Sequence, residues 1–389
     1  MFKNATWLAS TCVALSSPAI NLIPHAAEVT RKLDPWPRHV IAQGFHSNTA
    51  VGADFTGDGR IDVISSGNGS VRLFVAPDWK EVILHKGPNQ GWNCIHSEVL
   101  DVDGDGDPDY IGAIPDHDVF WLENPGGSAN GPWTFHNIDS EIHGIHCTLR
   151  ADVNGDGKVD LLVNNFAADG AAPNSLTWLE IPPNPRQADH WIRHVLADGD
   201  APGGNHYFGF GDVDGDGRPD VCVGAKGETF ENGNWFAWWK NPSDPTRPWR
   251  KNLIAANEIG ATNIHPGDLN GDGVQDFLAS RGHGKGVVWF EGPNWVKHEI
   301  DPTLDGPHCL QLIDMDGDGD LDGATCAKLD KLVVWYENDG KGRFTPRVVG
   351  ENQAAYDIRV LDMDADGDLD LLIAGQTSTN VVWYENTRR

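Results

Sequence analysis

The sequence predicts an all-β protein, a seven-bladed β-propeller with calcium-binding A–B loops and a ring closed by the N-terminal strand. Three observations predict it. A nine-residue pattern, Asp-x-Asp/Asn-Gly-Asp-Gly-x-x-Asp in its fullest form, begins at Asp54, Asp101, Asp152, Asp212, Asp268, Asp314 and Asp362, at intervals of 46 to 60 residues. A recurring period of that size marks a repeat architecture. Around each copy stand four short apolar or alternating runs separated by Gly- or Asn-rich segments, the strand count of one propeller blade. The seventh unit has runs for only three strands, whereas one unmatched run, Trp36 to Ile41, stands ahead of the first unit.

From the N-terminus, residues 1–27 read as a secretory signal. Lys3 supplies a positive start, Trp7 to Leu15 a short apolar run, and Ala26 and Ala27 a small-residue cleavage point. The run is too short to span a bilayer. A secreted or periplasmic protein is therefore expected, with residues 28–389 as a single propeller domain. The run from Trp36 is a fourth strand without a sheet, and the last unit is a sheet without a fourth strand. In each unit strand A precedes the acidic loop, as in Cys147 to Ala151, and strand B follows it, as in Leu161 to Val163 or Phe277 to Ala279. Strand C ends in an aromatic and an acid: Val119 to Asn124, Val287 to Glu291, Val333 to Asn338, Val381 to Asn386. Strand D opens on an aromatic, often three residues before a histidine. His39, His136, His194 and His298 share that register, so they are read as packing residues between blades. Five cysteines follow residue 27. An odd number excludes a full disulfide framework, and buried thiols are expected, with Cys309 and Cys326 facing each other across one hairpin.

Hydrophobic residues make up 39% of the chain, enough for a packed core. Against 29 basic residues stand 57 acidic ones, a net charge of −28. That balance excludes nucleic acid and an anionic membrane as partners, because phosphate binding needs clustered Lys and Arg. A monomer is expected.

The acidic loops supply the reason for so many carboxylates. Positions one, three, five and nine carry oxygen side chains: Asp101, Asp103, Asp105 and Asp109 in the second unit, then Asp152, Asn154, Asp156 and Asp160, and Asp212, Asp214, Asp216 and Asp220. The set continues through Asp268, Asn270, Asp272 and Asp276, through Asp314, Asp316, Asp318 and Asp322, and through Asp362, Asp364, Asp366 and Asp370. The first unit is weaker, with Thr56 among Asp54, Asp58 and Asp62. Alternate residues of a tight turn point inward, and the glycines allow the positive φ it needs. Hard oxygens suit Ca²⁺, which takes roughly six to eight of them, carbonyl and water completing the shell. The ion-free alternative is an Asx-turn hairpin whose carboxylates cap backbone N–H groups. Crowded carboxylates repel, so structural Ca²⁺ is expected at several sites; seven ions would offset half of the net charge.

These loops resemble the FG-GAP or VCBS repeat of integrin α-subunit propellers and many secreted bacterial proteins. The resemblance covers residues 36–386. It implies the propeller fold and calcium; it does not imply a function.

In such a propeller the A–B loops lie on one face and the start of strand A on the other, at the top of the channel. Six residues ahead of a loop stand His146, His206, His308 and Tyr356; His96 stands five ahead in the second unit, and His265 three ahead in the fifth. His46 and Asn48 occupy this segment of the first unit. The B–C loops add Asn164, Asn165, Lys226, Arg281, His283 and Lys328 to the same face. Trp92 and Tyr207 are candidates to stack on a sugar. The imidazoles vary in register, unlike those of strand D, which fits a specialised pocket better than a repeated packing role. Several imidazoles together could also bind a transition metal.

No Gly-x-Ser-x-Gly, His-Glu-x-x-His or phosphate loop is present. A glycosidase would want two carboxylates on this face; Asp116, Glu228 and Asp357 are the candidates, outnumbered there by His, Lys and Arg. A basic, imidazole-rich pocket selects an anionic glycan or oligosaccharide. Cleavage of a uronic-acid glycan by β-elimination needs a cation near the carboxylate, a base for the C5 proton and an acid for the leaving oxygen. His146 and His206 are the base and acid candidates, with Tyr207 as a rival acid and His96 beside them. Arg281, Lys226, His265, His308, His283, Asn165, Trp92 and Tyr356 are the substrate-binding candidates. This set on this architecture looks like the seven-bladed propeller polysaccharide lyases of the rhamnose-glucuronate lyase type, and is similar to the propeller part of aldos-2-ulose dehydratase. The competing expectation is a non-catalytic, calcium-dependent binding or adhesion module. A lyase predicts a pocket lined by at least three of His96, His146, His206, His265 and His308; a binding module predicts an open, flat top.

Overall fold

Alternating and fully apolar runs become strands in a computed structural model that describes residues 29–115, 118–127, 131–167 and 169–388. Residues 1–27 and Asp116 lie outside the described residues. Seven antiparallel sheets form. Their first strands are Ala50–Ala53, His96–Leu100, Thr148–Ala151, Asn205–Gly211, Asn263–Gly267, Pro307–Ile313 and Asp357–Leu361. Each lies against the next, and the last against the first, so the sheets close into a propeller ring around these strands. Strand B is buried along its whole length in every blade, which is why it reads as a near-continuous apolar run.

The N-terminal strand closes the ring. Arg38–Gln43 pairs antiparallel with Asn380–Tyr384 and supplies the fourth strand of the seventh blade. The chain just before it does something the sequence pattern does not announce. Lys32–Leu33 pairs in parallel with Phe344–Glu351 on the outer edge of blade 6, and Arg31 holds Asp301 by two bonds of 2.7 Å. Asp34 pairs with Arg388 and Arg347.

The ninth loop residue stitches each blade. Asp62, Asp109, Asp160, Asp220, Asp276, Asp322 and Asp370 are buried, and one oxygen of each accepts a loop N–H, that of the second loop residue in blades 2 to 7 and that of the third, Thr56, in blade 1. In six blades the other oxygen accepts the N–H that ends strand C. Blade 3 has Ile181 followed by Pro182 at that corner. The asparagines there reach one blade back: Asn124, Asn241, Asn338 and Asn386 donate to the carbonyls of Phe55, Val153, Leu269 and Met315.

The strand D histidines are packing residues, but they pack within their own blades and not between blades. His39, His136, His194 and His298 each stack on a strand C tryptophan, Trp383, Trp121, Trp178 and Trp289, at 3.9–4.4 Å between ring centres. Each also places Nε2 2.7–3.0 Å from the next acid, Glu385, Glu123, Glu180 or Glu291. Cys94, Cys147, Cys222, Cys309 and Cys326 are buried free thiols, and Cys309 sits opposite Cys326 across strands A and B. His136→Ala and His194→Ala are expected to cost about 1–2 kcal/mol each, the scale of a stacked pair plus one hydrogen bond, read as a small drop in Tm. Ligand binding should be unchanged, and a variant that binds less at an unaltered Tm would refute the packing role.

Candidate functional site

Three strand A starts bring imidazoles together at the top of the channel. His146 precedes Thr148–Ala151 in blade 3, His206 lies in blade 4 and His308 in blade 6. One ring nitrogen of each lies within 4.8 Å of one from each of the others. Asn164, at the end of blade 3 strand B, holds two of them. Its Oδ1 accepts the backbone N–H groups of His146 and Cys147, and its Nδ2 donates to the carbonyls of Asn205 and His206. Asn263 Nδ2 donates to the His308 carbonyl at 2.7 Å.

Each imidazole has one nitrogen engaged and the other without a partner. His146 Nε2 is 2.8 Å from the Tyr356 hydroxyl, His206 Nε2 is 3.1 Å from His283 Nε2, and His308 Nδ1 is 2.9 Å from the Tyr356 carbonyl. Among the described residues, His146 Nδ1, His206 Nδ1 and His308 Nε2 are buried with no hydrogen-bond partner, a condition few buried polar atoms tolerate. Burial, and then neighbouring imidazoles and Lys226, holds all three rings well below their ordinary pKa, so they are neutral at pH 7. Three neutral imidazoles with free lone pairs can hold a divalent transition ion and leave a coordination position open.

Above them the site reaches solvent through loop residues. Lys226 Nζ lies 3.3 Å from Glu228 Oε2, and Glu228 Oε1 lies 2.8 Å from His283 Nδ1. Burial alone would raise the Glu228 carboxyl, yet His283 and Lys226 hold it below the usual range. Lys328 sits 5.3 Å over the Tyr356 ring and is lowered by burial and by Lys226. Burial pushes the phenols of Tyr207 and Tyr356 up, so both stay protonated.

The structure separates several residues that the sequence places on this face. Arg281 is not free for a substrate: Glu258 and Glu299 take its guanidinium at 2.6 and 3.0 Å. His96 is engaged by Arg359, 2.9 Å from Nε2, within a buried group that includes Glu98 and Asp357. His265 gives Nε2 to the Leu310 carbonyl at 2.9 Å. Asn165 bonds to Ala171 and Ala167 within its own loop. Trp92 folds against Gly87, His85 and Phe120 at the blade 1–blade 2 side. His46 is exposed. Tyr207 joins the group, its ring 5.1 Å from that of His146. Three of the five expected histidines therefore meet, but as a closed group: exposures are 5, 1 and 2% for His146, His206 and His308.

At the opposite face the loops take the shape both alternatives require. The first aspartate accepts up to three backbone N–H groups; Asp101 takes those of Gly104, Asp105 and Gly106. Carboxylate oxygens still gather within 4.8 Å of one another at Asp101, Asp103 and Asp109, at Asp212, Asp214 and Asp220, at Asp314, Asp316 and Asp318, and at Asp362, Asp364 and Asp370. Basic side chains reach two of these loops, Arg186 to Asp103 and Asp105, and Lys240 to Asp214 and Asp216. In blade 1 Arg60 pairs with Asp58 at 2.9 Å. Desolvation, with neighbouring loop carboxylates adding to it, raises Asp109, Asp160, Asp322 and Asp370 to about 7 and Asp220 to about 6. An all-oxygen donor set under such mutual repulsion fits Ca²⁺.

The FG-GAP-like repeat profile matches residues 54–112, 101–163, 152–223, 212–279 and 314–373. No curated protein matches the sequence. Among solved structures, a lectin from Agrocybe aegerita, described as recognising non-reducing terminal N-acetylglucosamine, superposes with a TM-score of 0.54 at 18% identity, over 88% of this chain and 86% of that one. BBS1N, in its complex with ARL6DN, superposes with a TM-score of 0.61 at 10% identity, over 92% and 99%. At these identities the likeness is one of fold.

Calcium should raise Tm by several degrees over chelated protein, by mass action on the native state. The increment should depend on pH in a stated direction. The ninth-position carboxyls have folded pKa values raised above the unfolded value, so the ion-free fold gains stability as pH falls from about 7 towards about 4 and lacks that gain above about 7. Protons and calcium compete for the same carboxylates, so the calcium increment should be larger at about pH 8 than at about pH 5.5. Equal melting curves with calcium and with excess chelator would overturn the calcium reading.

Proposed function

The chain belongs to the FG-GAP repeat family, and from that premise we propose that it is a secreted carbohydrate-active enzyme, a lyase that cleaves a uronic-acid-containing glycan by β-elimination at the top of the channel. The observation that carries this reading is the convergence of His146, His206 and His308, neutral and each with an unpartnered nitrogen, beneath a mouth bearing Lys226 and Lys328. Burial turns the imidazoles away from direct proton exchange with a polymer and towards holding an ion, so His146 and His206 become ligands in this reading where the sequence marks them as acid and base. A divalent transition ion held there would supply the positive charge that stabilises the enolate-like form of a uronate carboxylate. Lys226 and Lys328 attract that carboxylate to the mouth. Tyr356, protonated and 2.8 Å from His146 Nε2, is placed to give its proton to the leaving oxygen as the C4–O bond breaks, and the phenolate so formed, strongly basic where burial raises its pKa, takes the C5 proton, so that the residue ends protonated. The lectin likeness supports a carbohydrate ligand only at the level of fold. Calcium in the opposite loops has a structural role.

Two chelators separate the two ions. On a panel of uronic-acid glycans, the unsaturated product should appear in the ultraviolet. 1,10-Phenanthroline should abolish turnover with little change in Tm, whereas a calcium-selective chelator should lower Tm first. His308→Ala should lose at least about a hundredfold in kcat/KM, the scale of a removed electrostatic group. If no glycan on the panel is cleaved while one binds, the lyase is wrong and a calcium-dependent binding module takes its place.

A further inference from the structure

His206 can donate a lone pair at Nδ1 only if its proton resides on Nε2, and two loop residues decide where that proton sits. Glu228 pairs through Oε2 with Lys226 Nζ at 3.3 Å, and a carboxylate paired with an ammonium can only accept a hydrogen bond at its other oxygen. Its Oε1 is 2.8 Å from His283 Nδ1, which must therefore carry a proton. With its ring proton on Nδ1, the His283 imidazole offers Nε2 as an acceptor. That acceptor lies 3.1 Å from His206 Nε2, which must then be the donor. The remaining nitrogen, His206 Nδ1, is the buried atom with no partner.

From this chain of donors and acceptors we infer that Glu228, acting through His283, is the positioning residue that fixes His206 in the tautomer presenting Nδ1 to the ion. The inference rests on the metal reading proposed above. His308 reaches the same end by a different route: its Nδ1 donates to the Tyr356 carbonyl, leaving Nε2 free. A backbone carbonyl has no choice of role, whereas the Glu228–His283 pair is made by two loops from neighbouring blades. Ligating histidines commonly donate their second N–H to a carboxylate or carbonyl, and loss of that partner weakens metal affinity by roughly 10–100-fold.

The local chain is built for this contact. His283 lies between Gly282 and Gly284, and a Cβ at either would meet backbone, His308 Cα at 2.7 Å and the Ile259 carbonyl at 2.4 Å. His283 can approach the group because both neighbours lack a side chain. Glu228 has φ +57°, a left-handed conformation unusual for a non-glycine residue, and it follows Gly227 at φ +71°. The Glu228 side chain divides its oxygens, Oε1 to His283 and Oε2 to Lys226.

The test uses the full chain, freed of transition metal and kept in calcium, titrated with Co²⁺ and followed by the visible d–d bands of the bound ion. Wild type should bind one Co²⁺ with bands that His308→Ala abolishes. Glu228→Ala and His283→Phe should each weaken Co²⁺ binding by roughly 10–100-fold and alter the band envelope, with Tm in calcium unchanged. Glu228→Gln, which keeps an acceptor oxygen, should recover part of the loss. If wild type binds no Co²⁺ that depends on His308, the metal reading and this inference both fail. If wild type binds as expected and Glu228→Ala, His283→Phe and Glu228→Gln all match it in affinity and spectrum, the metal reading stands and the role of Glu228 is refuted.

Discussion

The buried carboxylate at the ninth loop position is the interaction on which the rest depends. An ionised or protonated Asp109 without partners would be costly inside a sheet corner. It is tolerated because one oxygen takes the Val102 N–H and the other the Asn124 N–H. The first bond shapes the A–B turn and the second ties that turn to the end of strand C. Asn124 then spends its own amide on the Phe55 carbonyl of the previous blade. Local turn, blade and inter-blade contact are thus one hydrogen-bonded unit, recurring with small changes around the ring. With the loops pinned to one face, the starts of strand A must lie at the other, which is where the imidazoles meet.

The two faces then present opposite chemistries. One gathers hard, charged oxygens that repel until a cation or a basic side chain arrives; Arg186 and Lys240 already serve two loops. The other gathers neutral nitrogens, kept neutral by burial. Between them lies Arg359, its side chain 19% exposed, packed against Glu98, Asp357 and the Ser97 carbonyl. Burial disfavours its charge, but the two carboxylates more than compensate, and its pKa is raised. His96 is a further partner of that guanidinium, and Arg359, Glu98, Arg150 and Gln311 line a cavity of about 390 Å³.

The repeat made the ring legible in the sequence. Alternating runs, the Asp pattern and the orphan strand at Arg38–Gln43 each encode a local, periodic constraint, and those are what a sequence displays. The strap at Lys32–Leu33 was not legible, because two residues carry no periodicity and Asp301 lies 270 positions from Arg31. At the candidate site, counting back from the loop gives a residue's height along the channel but not its direction. His146, His206 and His308 share height and direction. His265 lies in the same strand segment yet turns to the Leu310 carbonyl, and His96 turns to Arg359. Arg281 reads as a free cation because Glu258 and Glu299 come from other elements. The contact between His283 and His206 carried one local cue, the glycines flanking His283, which mark a close backbone approach.

A protein of net charge −28 can still receive an anion at its top face. The A strands that separate the two faces run four to seven residues, roughly 13–23 Å at about 3.3 Å per residue. The Debye length at physiological salt is about 8 Å. The acidic loops therefore lie well over one screening length from the mouth, while Lys226 and Lys328 border it directly. The sign of the field that an approaching glycan meets is set by those two lysines, Glu228 and the ion proposed below them, not by the sum over the chain. Calcium bound in the loops, as proposed, would weaken the distant acidic field further by neutralising it at its source, and so would reduce the repulsion at the other end of the channel.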